Sequence, residues 1–298
     1  MGSTLSSAAT FDGIDQPVRA RDIFIPDGRP EDQALARTTH LGVGAHQDDL
    51  EFMAFPGIAE CFDSENLWFG GITCTDGAGS SRSGKFAAVS DAEMRVIRIA
   101  EQRRAAEIGR FSFVAQLGYP SKTLAEPLRS PLVVELRELF ERTKPDVVYT
   151  HNPADKHPTH IRVLVAVLAA LRELPASDRP QQLLGCEGWR GLDWLEDSSK
   201  VVMDVSGRQK LASELNEVFE SQIAGGKRYD VAVIGRRHAN ATFFDAHSVD
   251  SVGEACLAID LTPLIGREPD AVVDFTLKAV DRFRQSVGDE LRKVLNPA

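Results

Sequence analysis

No two cysteines of this chain are spaced as C-x-x-C. The four present, Cys61, Cys74, Cys186 and Cys256, lie far apart, which argues against a thiolate zinc site or a disulfide framework and for buried, reduced thiols. Basic charge is also short: 34 Lys and Arg stand against 44 Asp and Glu, a formal net charge of -10. With no local basic cluster, that balance opposes a phosphate backbone, so no nucleic-acid partner is expected. No uninterrupted apolar run reaches the roughly 18 residues of a membrane span. The start, Met1-Gly2-Ser3-Thr4-Leu5-Ser6, lacks the charged and apolar regions of a signal peptide. A soluble, cytoplasmic protein with no membrane partner is therefore expected. That start also fits the loose myristoylation pattern M-G-x-x-x-S, without the polybasic segment that would support anchoring. Internal repeats, low-complexity tracts and clear linkers are missing too. The 298 residues, 43% of them hydrophobic, suffice for one large domain with a sizeable core. We place it at 39–298, after an N-terminal extension, 1–38, rich in Ser, Asp, Arg and Pro.

What is present centres on Gly42-Val43-Gly44-Ala45-His46-Gln47-Asp48-Asp49-Leu50-Glu51. Residues His40 to Ala45 read as a short buried strand whose glycines let neighbouring backbone approach, and Leu50, Phe52, Met53 and Ile58 suggest a helix beyond it. His46, Asp48 and Asp49 then fall on a strand-to-helix turn, the edge of an open α/β sheet that carries ligands. Leu67 to Cys74 reads as a second strand, followed by a Gly/Ser-rich loop. Asp91 to Gly109 has helical spacing with Ser90 as N-cap and Met94, Ile97, Ala105 and Ile108 facing inward. Phe111 to Leu117 is a strand and Leu128 to Thr143 a helix. Asp146 to Thr150 is again a buried strand, running into His151-Asn152-Pro153-Ala154-Asp155-Lys156-His157-Pro158-Thr159-His160 and an apolar helix from about Ile161. Further strands are expected at Gln182–Glu187 and Lys200–Val205, and helices around Gln209–Ala224 and Asp270–Leu295, while 225–265 resists parsing. Alternating strands and helices predict an α/β, Rossmann-like three-layer fold with a mostly parallel sheet and its site at the carboxyl ends of the strands.

Four of the seven histidines, His46, His151, His157 and His160, thus sit at two strand ends. A histidine after a strand or an aspartate opening a helix has an ordinary structural explanation, as a satisfied hydrogen-bonding residue or a helix cap. Two such clusters on one rim of a parallel sheet are harder to explain that way. A catalytic zinc takes about three His or carboxylate ligands and keeps a position for water; His46, Asp49 and one of the second-turn histidines meet that count.

These residues resemble the signatures of the PIG-L or LmbE-like zinc-dependent N-deacetylases. Ala45-His46-Gln47-Asp48-Asp49-Leu50-Glu51 is similar to A-H-P-D-D-E, and His151 to His160 to H-x-x-x-D-x-H-P-D-H. Weaker similarity runs through Thr75-Asp76-Gly77, Arg98-x-x-Glu101-x-x-x-Ala105 and Gly118-Tyr119-Pro120. The resemblance implies that His46, Asp49 and His160 bind Zn2+ or another divalent metal and that Asp48 is the general base. It further implies that His157 stabilises the oxyanion or protonates the leaving amine. Its departures are Gln47 for proline, Glu51 one place late, and Thr159 for the aspartate of H-P-D-H, which leaves Asp155 to supply the charge beside His157. Among other polar residues, Arg98 and Arg82 are expected to hold substrate, as are His238 and His247 in the divergent 175–298 part that would wall the cleft; Tyr119 and Trp189 could stack on a sugar ring.

The implied activity is removal of an acetyl group from an N-acetylated amino sugar or glycoconjugate, a small-molecule partner, with a homo-oligomer allowed. The alternatives are an amidase cleaving a larger acyl group from a glucosaminyl amide, as in mycothiol metabolism, and a non-catalytic sugar-binding protein. A dinucleotide-binding oxidoreductase, suggested by Gly42-x-Gly44, is disfavoured because the third glycine of G-x-G-x-x-G would fall at Gln47 and acids would occupy the pyrophosphate position.

Overall fold

The computed structural model describes residues 21–296. The M-G-x-x-x-S start and most of the N-terminal extension lie outside the described residues. The elements are β1 (Asp22–Phe24), α1 (Glu31–Ala36), β2 (His40–Gly44), α2 (Asp49–Met53), α3 (Phe55–Cys61), β3 (Phe69–Thr75), α4 (Asp91–Ile108) and β4 (Phe113–Tyr119). They continue with α5 (Leu132–Thr143), β5 (Val147–His151), α6 (Pro158–Glu173), β6 (Gln182–Cys186), β7 (Lys200–Asp204), α7 (Gln209–Glu217), α8 (Glu220–Ile223), α9 (Tyr229–Thr242), β8 (Ala255–Asp260) and α10 (Ala271–Leu295).

All eight strands form one sheet in the order β1-β4-β3-β2-β5-β6-β8-β7. The five from β4 to β6 are parallel, and β1, β8 and β7 join antiparallel at the edges. From β2 the chain winds outward through β3 to β4, then returns to β5 on the other side of β2. The boundary between β2 and β5 is therefore the topological switch point, where diverging connections leave a crevice at the carboxyl ends. Both histidine-bearing turns open into it.

Strand alternation sorts β2 between the two helical layers. Leu41, Val43 and Ala45 pack with residues of α1, α5 and α6 on one face, whereas Gly42 and Gly44 face α2 and α3. A Cβ on Gly42 would meet Leu50 Cδ2 at 2.9 Å and Ala54 Cβ at 3.3 Å, and one on Gly44 would meet Asp49 Cβ at 2.9 Å. Glycine lets the short helix sit against the strand and carry Asp49 to its tip. Leu50, Phe55 and Ile58 then bury fully with Phe69 and Phe111, each such side chain contributing about 1.5–3 kcal/mol by removal from water. Ala54 separates α2 from α3, with Pro56 in the first turn of α3, where its missing N–H costs nothing.

Ser90 caps α4 in a full capping box with Glu93. Its buried face corrects the apolar one expected: Ile97 and Ile108 are only partly buried, and Arg98 and Gln102 are buried beside Met94 and Ala105. Those two polar residues turn inward because the helix packs over the first turn's acids. Residues 22–36, assigned from the sequence to the extension, instead add an edge strand and a helix whose Ala34 and Leu35 are fully buried. A three-residue strand is too short for its periodicity to register. Within 225–265 lie α9 and β8. Among the described residues no helix is long and apolar enough to cross a membrane.

Candidate metal centre

The two turns meet at the switch point. His46 follows β2, Asp49 opens α2, and His160 lies in the first turn of α6, which begins at Pro158, earlier than Ile161. One ligand-capable atom of each lies within 4.8 Å of the others. His46 Nδ1 is 3.3 Å from Asp49 Oδ2, His160 Nε2 is 3.4 Å from Asp49 Oδ1, and the two ring nitrogens are 3.3 Å apart. Asp49 also accepts the His46 main-chain N–H at 2.7 Å, which fixes its carboxylate in the turn. Burial alone would raise the Asp49 pKa, but His160, His151 and His46 hold it well below the usual carboxylate range. An ionised carboxylate among ring nitrogens is the donor set of a His/carboxylate zinc site, so these residues fit a divalent cation.

Asp155 stands behind His160, with Oδ1 3.4 Å from His160 Nδ1, an arrangement that orients a ligating histidine. Burial works against the charged His160 ring, yet Asp49 and then Asp155 raise its pKa. Asp155 also acts on His157, whose main-chain N–H it accepts at 2.8 Å and whose charged form it favours, though burial, His46 and His160 outweigh it; it accepts the Trp189 N–H at 2.9 Å as well. Burial, His46 and His160 lower the His157 pKa to about 4. Its Nδ1 accepts the N–H of the buried Thr159 at 3.3 Å, which leaves Nε2 as the protonated nitrogen of a neutral ring. His157 is thus equipped to donate a hydrogen bond without carrying charge.

Asp48 is not one of these three ligands but lines the cleft beside Asp49. It adopts φ 100, a conformation that costs a non-glycine residue about 1–3 kcal/mol. Its Oδ2 accepts from Arg98 Nη2 at 3.1 Å, while Arg98 also donates to the Gln47 carbonyl and Gln102 Oε1 accepts the Asp48 N–H at 3.4 Å. Burial raises the Asp48 pKa to about 6, opposed by Arg98 and aided by Asp49. Arg98 is 1% exposed and does not line the cleft: it braces Asp48. The three other residues expected to hold substrate are elsewhere. Arg82 bonds Asp91 and the Ala78 carbonyl, His238 pairs with Glu254 at 3.1 Å, and His247 lies in an exposed loop. Tyr119 is buried and bonds Glu135.

Other residues complete the site, among them Trp189, expected as a possible stacking residue, and several to which the sequence assigned no role. His151 Nε2 accepts the Ala45 N–H at 3.0 Å and lies 3.5 Å from Asp49 Oδ2, and its ring stacks on His160 at 3.8 Å. Burial and His160 keep it neutral. Asp48, Asp49 and His151 form the floor of a cleft of about 190 Å³ walled by Phe52 and Met53 of α2, Glu187 to Trp189, and one face of α9. That face, Tyr229, Ala232, Val233, Arg236, Arg237 and Asn240, follows the i, i+3, i+4, i+7 rule. His238 is one residue out of phase, which is why it misses the cleft. The helical period was the available signal.

An open α/β sheet with a metal-capable triad at its switch point defines the class of protein. Residues 41–171, the part of the chain that carries both turns, match the family model described as PIG-L: GlcNAc-PI de-N-acetylase. The fold is similar to the conserved protein TT1542 of Thermus thermophilus (TM-score 0.60, 21% identity, 75% of this chain and 94% of that one). It is similar to the 4-carboxy-2-hydroxymuconate hydratase GalB of Pseudomonas putida (0.58, 17%, 75% and 96%). It also resembles the N,N'-diacetylchitobiose deacetylase of Pyrococcus horikoshii (0.57, 15%, 74% and 83%). Comparison with curated proteins found no match. Deacetylase and hydratase share this fold, so the reaction must be argued from the site.

Proposed function

We propose that the protein is a metal-dependent N-deacetylase acting on an N-acetylated amino sugar or glycoconjugate. The observation that carries this reading is the convergence of His46, Asp49 and His160 within 4.8 Å beside a second, separately braced carboxylate, Asp48. The match to a de-N-acetylase family model supports it. His46, Asp49 and His160 would hold the ion, with zinc suited to this donor set and other divalent metals compatible. When bound, such an ion supplies Lewis-acid polarisation of the acyl carbonyl and acidifies water to a pKa of about 7.

The chain's own residues do the rest. Asp48, oriented by Arg98, accepts the proton of the attacking water. The Nε2–H of His157 donates to the oxyanion that develops on the acyl oxygen. The amine must leave protonated, and Asp48, having taken a proton, returns it there. Incubation with N-acetylglucosamine-containing substrates should release acetate, and Asp48→Asn should slow release about 100-fold or more with metal content retained. Unchanged turnover would remove Asp48 from the mechanism.

One observation favours a second reading. The cleft wall is largely apolar, with Phe52, Met53, Ala232, Val233 and Leu257 beside the floor, which suits an amidase cleaving a longer acyl group. Comparison of acetyl with longer acyl amides separates the two.

A further inference from the structure

Besides Tyr229, three polar side chains of α9 line the cleft, and two of these already have partners. Arg236 donates to the Gly188 carbonyl, and Asn240 donates to Glu187 Oε2 at 2.6 Å and to the Ala255 carbonyl at 3.2 Å. Arg237 differs. It is 2% exposed, its Cζ lies 3.9 Å from the centre of the Phe55 ring, and Nη2 donates to the Glu51 carbonyl at 3.0 Å. Its Nε and Nη1 are buried without an acceptor, and among the described residues no carboxylate comes within ion-pair distance of it. Its other polar neighbour is the buried thiol of Cys256.

A guanidinium keeps its charge under all ordinary conditions, and one removed from water without a counter-ion is strongly disfavoured. In a structural role Arg237 would be paired or replaced by an apolar residue of similar volume. It instead lines the cavity whose floor is Asp48 and Asp49, anchored to the carbonyl of Glu51, two residues beyond Asp49. Nε and Nη1 lie on different sides of the guanidinium and cannot grip one anion together; an anion reaching that wall would pair with one of them and with the second N–H of Nη2, the fork geometry that arginine satisfies best.

We propose that Arg237 is a specificity-determining residue that pairs with an anionic group, a carboxylate or a phosphate, carried by the substrate. This rests on the deacetylase reading and narrows it: the preferred N-acyl amine is acidic, and the neutral sugar is a poor ligand. Apolar residues of the cleft face the acyl or sugar carbon skeleton while Arg237 selects the charge.

The test is calorimetric binding, which does not depend on turnover. N-acetylglucosamine, its 6-phosphate and N-acetylmuramate are titrated into the wild-type protein and into Arg237→Met and Arg237→Lys, with acetate release followed in parallel. We expect the wild type to bind at least one anionic compound ten-fold or more tighter than the neutral one. The phosphate and carboxylate arms identify which anion is meant. In Arg237→Met the anionic-to-neutral affinity ratio should fall close to one, and Arg237→Lys should restore only part of it, since a lysine keeps the charge and loses the fork. A wild-type protein that binds the three compounds equally, or an Arg237→Met protein that keeps the wild-type ratio, overturns the proposal. If no substrate releases acetate while the ratio behaves as expected, the deacetylase reading fails and the anion site stands.

Discussion

Replacing Glu51 by glutamine should abolish a pH dependence of folding stability that the natural chain carries. Glu51 is fully buried. Oε1 accepts from Gln102 Nε2 at 2.8 Å, and Oε2 has no partner among the described residues. Burial, only partly offset by the Gln102 bond and aided by Asp48 and Asp49, raises its pKa from 4.5 to about 8. The unfolded chain releases this proton near 4.5 and the folded chain near 8, so between those values the folded state holds a proton that the unfolded state lacks. The sign follows: the contribution is present in full below pH 4.5 and is lost as pH rises through about 8. At about 1.4 kcal/mol per pH unit, the loss between about pH 5 and 8 is on the order of 2–4 kcal/mol. Glutamine matches the shape of the protonated acid and cannot ionise. Urea unfolding at about pH 5, 6, 7 and 8, on protein stripped of divalent metal so that no cation shifts the titration, should show the wild type losing ground to Glu51→Gln as pH rises. A difference that stays constant across that range would mean that Glu51 is ionised in the fold, and the reasoning fails.

Two further substitutions probe the supports of the site. Gly44→Ala places a Cβ 2.9 Å from Asp49 Cβ, an atom that cannot move without the start of α2, so stability should fall by about 1–3 kcal/mol and zinc affinity with it; an unchanged melting temperature and zinc affinity would show that the strand and helix are not in the contact described. Asp155→Asn removes the charge 3.4 Å from His160 Nδ1 and should weaken zinc binding about 10–100-fold, as read by competition with a chromogenic chelator. Equal affinity would assign Asp155 to holding the 155–157 turn alone.

Much of this arrangement was legible in the sequence because it rests on local rules. The β2 pattern, with Gly42 and Gly44 alternating with Leu41 and Val43, encodes a strand with a large-residue face and a bare one. Ser90 announces the start of α4 as an N-cap, and the repeat of strand, histidine and helix at 40–53 and 146–173 places both turns on one rim. What escaped depends on tertiary packing. Arg98 and Gln102 occupy helix positions that an apolar pattern would leave to solvent, and only the acids of the first turn, brought over them by the fold, make those positions interior. Arg98 was expected at the substrate for the same reason: its charge was visible but its partner, Asp48, was 50 residues away. His238 and His247 were selected by residue type, whereas the cleft is built by the helical phase of Tyr229, Val233, Arg236, Arg237 and Asn240. α9 has no side-chain cap at Arg228 to mark its start, and its inward face mixes charged with apolar residues. The service of Asp155 to His160 as well as to His157 could not be read either, since which ring a carboxylate reaches is a matter of side-chain placement within one turn.

The central claim is that His46, Asp49 and His160 form one metal site. Calorimetric titration of Zn2+ into chelator-stripped protein tests it most directly: the wild type should bind about one ion per chain, and Asp49→Asn, which keeps the shape of the turn and removes its charge, should lose that binding by roughly 100-fold or more. A wild-type chain that takes up no divalent metal, or an Asp49→Asn chain that binds zinc as tightly as the wild type, would contradict the account.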